Sequence, residues 1–244
     1  MALSTKVGSF NIGLGAATTT VPVTGVGFTP KAIIFWWSGR TTSTDAAGRA
    51  THLRGTGFTA GATNNNGVTS YSLDAAAAAD SARAHRADAC VIEMSATAAV
   101  GWADLKSFDA DGFTLEILDQ FVTDLRVSYL ALGGDTLTNA TTLLFNSNSV
   151  TGNQSVTGVG FQPDFVFCVQ ADNTAAPSVD TDSRLGWGAA TGPSNEWTAA
   201  PGSDDAAATM QAMRYMTDLE TYALGGSGSA TVIQRGEFTQ FTTD

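Results

Sequence analysis

The sequence predicts an all-β protein of two tandem, related antiparallel β-sandwich (jelly-roll-like) units. Three observations carry this. The hexapeptide VTGVGF stands at 23–28 and again at 156–161, followed each time by x-Pro, a charged residue (Lys31 or Asp164) and an apolar run. Gly, Ala, Thr and Ser abound while charged residues make up only 14%, a mixture that suits short strands and turns better than charged helix faces. Strand-like runs then recur at short spacing, separated by turn signals.

The elements follow in order. KVGSFNIG (6–13) reads as a strand. Thr29 is pushed to extended geometry by Pro30, and Pro30, lacking an amide donor, belongs at a strand's first residue. Ala32–Trp37 is a continuous apolar run, as expected of a strand buried on both faces, and FVFCV (165–169) repeats it. ACVIEM (89–94), FTLEIL (113–118) and LRVSYLAL (125–132) are further strands; in the last, Arg126 and Ser128 alternate with Leu125, Val127 and Tyr129. Asp111-Gly112 is a tight-turn pair. One short helix is expected in a loop excursion over 73–89, LDAAAAADSARAHRADA, with Asp74 as its cap and Arg83, His85 and Arg86 near its C-terminus. The Pro-, Gly- and Ser-rich stretch 173–205 is expected to be a long ordered loop.

The two VTGVGF motifs lie 133 residues apart, and the same offset carries SFDAD (107–111) onto QFTTD (240–244). Between them GTGF (55–58) meets GWGA (186–189) after a slip of two residues. Internal repetition fixes an architecture, so residues 1–134 are read as the first sandwich unit and 135–244 as the second. By this register the second unit is expected to lack its last strands as given, because Asp111 is followed by GFTLEILDQFVTDLRVSYLALGG and its counterpart Asp244 is not; either the sequence is truncated there or another chain supplies those strands. A rival alignment sets YALGG (222–226) on YLALGG (129–134); it ranks lower because 230–244 would then have no counterpart.

Net charge is −11, which disfavours nucleic acid and anionic membrane surfaces as partners. No apolar stretch approaches the roughly 18 residues of a membrane span, and MALSTKVGSF lacks a secretory apolar core, so synthesis in a cytoplasm is expected. Cys90 and Cys168 sit in apolar runs and read as buried reduced thiols.

Chemistry is sparse. His52 and His85 read as solvated surface residues. DADGF (109–113) begins like a calcium loop but runs directly into a strand, so a hairpin turn is the better reading. No catalytic residue, metal site or cofactor is assigned, and the chain is read as not an enzyme. Arg40, Arg49, Arg54, Arg83 and Arg86, five of nine arginines, fall between 40 and 86. They are either a scatter of solvated charge or a docking face for an acidic partner. Trp187 and Trp197 either stack on a sugar ring or pack the loop that carries them.

VTGVGFTPKAIIFWWSGRT, SFDADGFTL and YLALGG resemble a group of uncharacterised proteins encoded by tailed bacteriophages and prophages and regarded as virion components. The resemblance covers the first copy well and the second as far as it goes. Its motifs are structural, so it brings no catalytic residue. It also supplies a continuation -GFTL after a -TD like that at 243–244. The resemblance implies a structural protein of the virion, made in the host cytoplasm, on the capsid exterior as a decoration protein or in a tail fibre. Capsid or tail proteins of the same particle and further copies of the chain are the expected partners. The alternative is a carbohydrate-binding receptor-recognition module of a tail fibre, with a host surface glycan as ligand.

Overall fold

The structure, a computed structural model, describes residues 2–41, 51–73, 80–206, 211–226 and 231–243. Every helix or strand among them is a β-strand, which establishes the all-β class. The first half supplies β1 (Leu3–Asn11), β2 (Thr20–Thr24), β3 (Pro30–Trp37), β4 (Thr51–Thr59), β5 (Asn65–Leu73), β6 (Asp80–Arg86), β7 (Val91–Ser95), β8 (Ala98–Asp109), β9 (Gly112–Asp119) and β10 (Arg126–Gly134). The order β1-β10-β3-β4-β5-β6 makes one antiparallel sheet and β2-β9-β8-β7 the other. Alternation decides what lies between them: along β10, Val127, Tyr129 and Ala131 are buried while Arg126, Ser128 and Leu130 face outward. Phe35 and Tyr129 from the first sheet meet Phe113 from the second edge to face, with ring centroids 5.7 and 5.2 Å apart. The large apolar core is confined to residues 10–131.

The repeated hexapeptide has a mechanical role. Gly25 and Gly27 adopt φ of +80° and +88°, a region only glycine enters freely. Their amides donate to the two carboxylate oxygens of Asp111, at 3.1 and 2.6 Å. The turn that opens β3 is thereby fastened to the β8–β9 hairpin. In the same hairpin Asp109 pairs with Gly112 and accepts from the Ser107 and Thr114 hydroxyls, so DADGF is a structured turn. Asp111→Ala should cost about 1 kcal/mol, since two exposed amides lose a charged acceptor and regain water. Chemical denaturation would show it, and an unchanged midpoint would count against the clasp.

Three expectations are corrected. The helix over 73–89 is not formed in its described part: residues 80–86 are strand β6, while 74–79 lie outside the described residues. Helix propensity is a weak preference, and here Ser81, Ala82, Arg83, Ala84 and His85 are all buried as β6 pairs with β5. The expected long loop over 173–205 instead holds four strands. Finally, β3 is not buried on both faces. Ile33, Phe35 and Trp37 point inward, but Trp36 remains 40% exposed.

The second half contributes β11 (Val166–Gln170), β12 (Ser178–Thr181), β13 (Ser183–Arg184), β14 (Gly186–Gly192), β15 (Asn195–Ser203), β16 (Ala212–Thr217), β17 (Tyr222–Gly225) and β18 (Val232–Gly236). Strand β12 joins the first half's large sheet beside β6. The others form a sheet β11-β14-β15-β16, with β13 along the same edge of β15 as β14, and a separate pair β17-β18.

Their registers repeat those of the first half. Phe35 faces Gly57 as Cys168 faces Gly188. Gly67 faces Arg86 as Thr198 faces Thr217. Val91 faces Ala103 as Tyr222 faces Gly236, and the same bulge recurs one turn on, at Met94–Ala99 and Gly225–Val232. The offset is 133 at β3 and β8 and 131 in between, the slip of two residues seen in GTGF and GWGA. Thus β11, β14, β15, β16, β17 and β18 correspond to β3 through β8. The rival alignment on YALGG is excluded, because Tyr222–Gly225 takes the place of β7 and not of β10.

Candidate assembly surface

The outer face of β4, β5 and β6 is covered by the second half. Val68 packs with Ala171 and Leu185, and Phe58 lies 5.7 Å from Phe167, centroid to centroid. Polar contacts fix the angle. Asp205 accepts from the Ser81 amide at 2.9 Å, and the Ser81 and Ser203 hydroxyls are 3.2 Å apart.

This junction absorbs two of the five arginines singled out in the sequence, Arg54 and Arg83. Arg83, 6% exposed, donates to the Asp172 carbonyl at 2.7 Å and to that of Thr181, with the Asp172 carboxylate 3.6 Å away. Arg184 bridges the Asp172 and Asp182 carboxylates. The Arg54 guanidinium lies 4.6 Å from the centre of the Trp187 ring, and burial lowers it to about 10. Arg86 instead forks onto its neighbour Asp88, 2.9 and 2.7 Å, and covers Trp102. Arg40 accepts from the Arg126 amide through its carbonyl at 2.6 Å. Arg49 lies outside the described residues. Three of the five thus spend their charge on contacts inside the chain. The structure brings Arg54 and Arg83 to one junction and leaves Arg86 with Asp88.

The two tryptophans share one sheet face but not one environment. Trp187 donates to the Thr56 hydroxyl at 2.9 Å and sits in the junction. Trp197, facing Ala189 across β14–β15, is 43% exposed. Trp187→Ala is therefore expected to lower stability by about 2–3 kcal/mol through lost packing and stacking, and Trp197→Ala to leave it within about 0.5 kcal/mol. Equal melting temperatures for the two variants would contradict this placement.

His85 is buried at the same junction, and burial holds its imidazole below the ordinary 6.5. The unfolded chain binds that proton first, so this contribution is complete above about 6.5 and is lost as pH falls below it. Asp104 acts oppositely. Burial, then the Glu116 and Asp88 carboxylates, raise it from 3.8 to about 6. The folded chain therefore holds a proton that the unfolded chain has released, and this contribution grows as pH falls toward 3.8. The loss of melting temperature between about pH 7 and about pH 5 should shrink in His85→Gln and grow in Asp104→Asn. The reverse order would show the signs to be wrong.

The second half exposes what the first half covers. In the first sandwich β10 lies beside β3 and β9 beside β8. Among the described residues β11 pairs only with β14, and β18 only with β17. Within the same described residues strand β1 pairs only with β10 and β2 only with β9, and the matching stretches of the second half, 136–144 and 153–157, form no strand. Val23 is 7% exposed and its counterpart Val156 38%; Phe10 is 9% and Leu143 41%; Ile12 is 2% and Phe145 40%. Leu105 is buried and Phe238 half-buried. This open region of backbone edges and apolar side chains was not read from residue types; only the missing strands pointed to it.

Both cysteines are free. Among the described residues no group of three or more His, Cys, Asp or Glu side chains is placed to hold a metal ion. The buried Glu93 accepts from the Val122 and Thr123 amides, and Glu196 from the Thr221 hydroxyl and the Phe238 amide, so both carboxylates pin loops. Comparison with protein-family models, with curated proteins and with solved structures returned no match.

Proposed function

We propose that the chain is a non-enzymatic structural protein of a tailed-phage virion, on the capsid exterior or in a tail appendage. The observation that carries its assembly role is the second half's pair of edges, β11 and β18, unpaired among the described residues, together with exposed Leu143, Phe145 and Val156. Unpaired strand edges and apolar patches are what a protein covers when it joins another. The placement in a phage particle rests on the resemblance of VTGVGFTPKAIIFWWSGRT, SFDADGFTL and YLALGG to phage proteins. Mass spectrometry of purified particles tests it: the chain should be present, in hundreds of copies for a decoration protein and in a handful for a tail part. Absence from the particles sinks the virion reading.

The carbohydrate reading rests on exposed Trp197, since Trp187 is engaged by Arg54 and Thr56. A glycan array comparing the parent chain with Trp197→Ala decides it. Binding that survives the substitution removes the residue from consideration.

A further inference from the structure

We propose that the outer face of β1, β10 and β3 is the surface through which two copies of this chain join, face to face about a two-fold axis. This surface is distinct from the edges of β11 and β18, and the association is read on the purified chain, apart from any virus particle.

The pairings lay out the face row by row. Val7 lies opposite Leu130 and Leu130 opposite Ile34; Thr5 lies opposite Leu132 and Leu132 opposite Ala32; Ser9 lies opposite Ser128 and Ser128 opposite Trp36. Leu3, Val7 and Trp36 are exposed, while Leu130, Leu132 and Ile34 are half-buried. No charged side chain stands at these positions, although the chain carries a net charge of −11. Two acidic copies repel least where they meet across a neutral surface, and a contiguous apolar patch is what association covers. At one end the patch gives way to polar groups, where Arg126 donates to Asn11 at 2.9 Å and to Ser9 at 2.6 Å. An apolar centre with a polar rim is the make-up of a protein interface.

A second copy is the occupant because the chain already contains one contact of this kind. Its two halves repeat one unit, and they meet through outer sheet faces. Phe167, which corresponds to Ile34, packs on Phe58 of the first half. Val169, which corresponds to Trp36, is partly buried in the same junction. Phe58 stands at the end of a row that continues through Ile34, Leu130 and Val7. The internal junction thus uses one end of the row and leaves the rest open. The first half keeps both parts of the contact free: Ile34 and Trp36, the positions that dock, and Leu130 and Val7, the stretch that receives. A two-fold axis satisfies both at once, with each copy's Ile34 on the other's row, and it closes the assembly at two. Pairing through the edge of β1 is disfavoured, because Lys6, opposite the buried Ala131, is exposed there. Three strands spaced about 4.8 Å apart make a smaller footprint than a permanent dimer has, so the association is reversible.

Sedimentation equilibrium of the full chain over a wide range of concentration is the test. The parent should pass from monomer to dimer as concentration rises, and added salt should favour the dimer by screening the like charge of the two copies. Val7→Glu and Trp36→Thr, both at exposed positions, should each raise the dissociation constant at least about tenfold while the chain melts as the parent does. Met216→Glu, at an exposed position on the second half's outer face, should leave it unchanged. A parent that is monomeric at every concentration overturns the proposal, and Trp36-dependent signal on the glycan array would then make a sugar the occupant. Growth beyond the dimer overturns the two-fold arrangement. A dimer that survives in folded Val7→Glu and Trp36→Thr, or is lost in folded Met216→Glu, overturns this face as the contact.

Discussion

Gly57→Ala should lower the unfolding free energy of the first sandwich by about 3 kcal/mol or more, the range of severe overpacking. A Cβ built on Gly57 would sit 1.7 Å from the Cys90 carbonyl oxygen. The backbone there is extended, so the cost is space and not strain at Gly57 itself. Relief requires β4 to part from the Cys90–β7 segment, and β4 is held on both sides by β3 and β5. The repeat supplies an internal comparison. A Cβ on Gly188 would lie 1.6 Å from the Thr221 carbonyl oxygen, the same contact in the second half. Its facing strand β17 belongs to a two-stranded pair with β18, whereas β7 belongs to the four-stranded sheet β2-β9-β8-β7, so Gly188→Ala should cost less, about 1–2 kcal/mol. Gly202→Ala, whose Cβ would meet nothing nearer than 3.4 Å, is the control. Calorimetry reads all three. A Gly57→Ala chain as stable as the Gly202→Ala control would show that the sheets do not approach as closely as they do here.

The strands legible in the sequence were those whose own residues carry the signal. Pro30 opens β3 as a residue without an amide donor should, and Arg126 and Ser128 alternate with Val127 and Tyr129 along β10. The repeat was legible because Val156 to Phe161 copy Val23 to Phe28 unchanged. What escaped was determined by neighbours. Residues 80–86 are helix-prone as a peptide, yet they lie between β5 and β12 with five consecutive residues buried. Strand β14 opens GWG because Gly186 and Gly188 lie under Gln170 and the Thr221 carbonyl. Glycine in a composition argument signals a loop, whereas here it permits close approach. The site was harder still. An arginine cluster in sequence resembles a charged face, but Arg54 and Arg83 point into a junction that only the folded chain creates. The edges of β11 and β18 that are unpaired among the described residues have no residue signature and emerge only when the two copies are laid in register.

Arg83→Met should uncouple the two halves, at a cost of about 3 kcal/mol, the scale of breaking a buried ionic network by removing one partner. Arg83 reaches from β6 across the junction to three carbonyls, those of Asp172, Thr181 and Asp182, and, at 3.6 and 4.0 Å, to the Asp172 and Asp180 carboxylates. Methionine fills similar space but takes the guanidinium donor from all three carbonyls, while Arg184 still neutralises part of Asp172 and keeps the cost from rising further. Arg83→Lys should not restore the junction, because a single ammonium cannot reproduce a planar fork. Strand β12 should respond first: it pairs with β6 through Ser178–Thr181, and its amides should exchange faster as it peels away. Calorimetry should then show two transitions in place of a coupled one. Salt separates this role from that of a solvated docking charge. A buried network is screened weakly, so added salt should leave the parent's coupling nearly unchanged. A single transition at the parent temperature in Arg83→Met would show that apolar contacts between Val68, Ala171 and Leu185 hold the halves together without it.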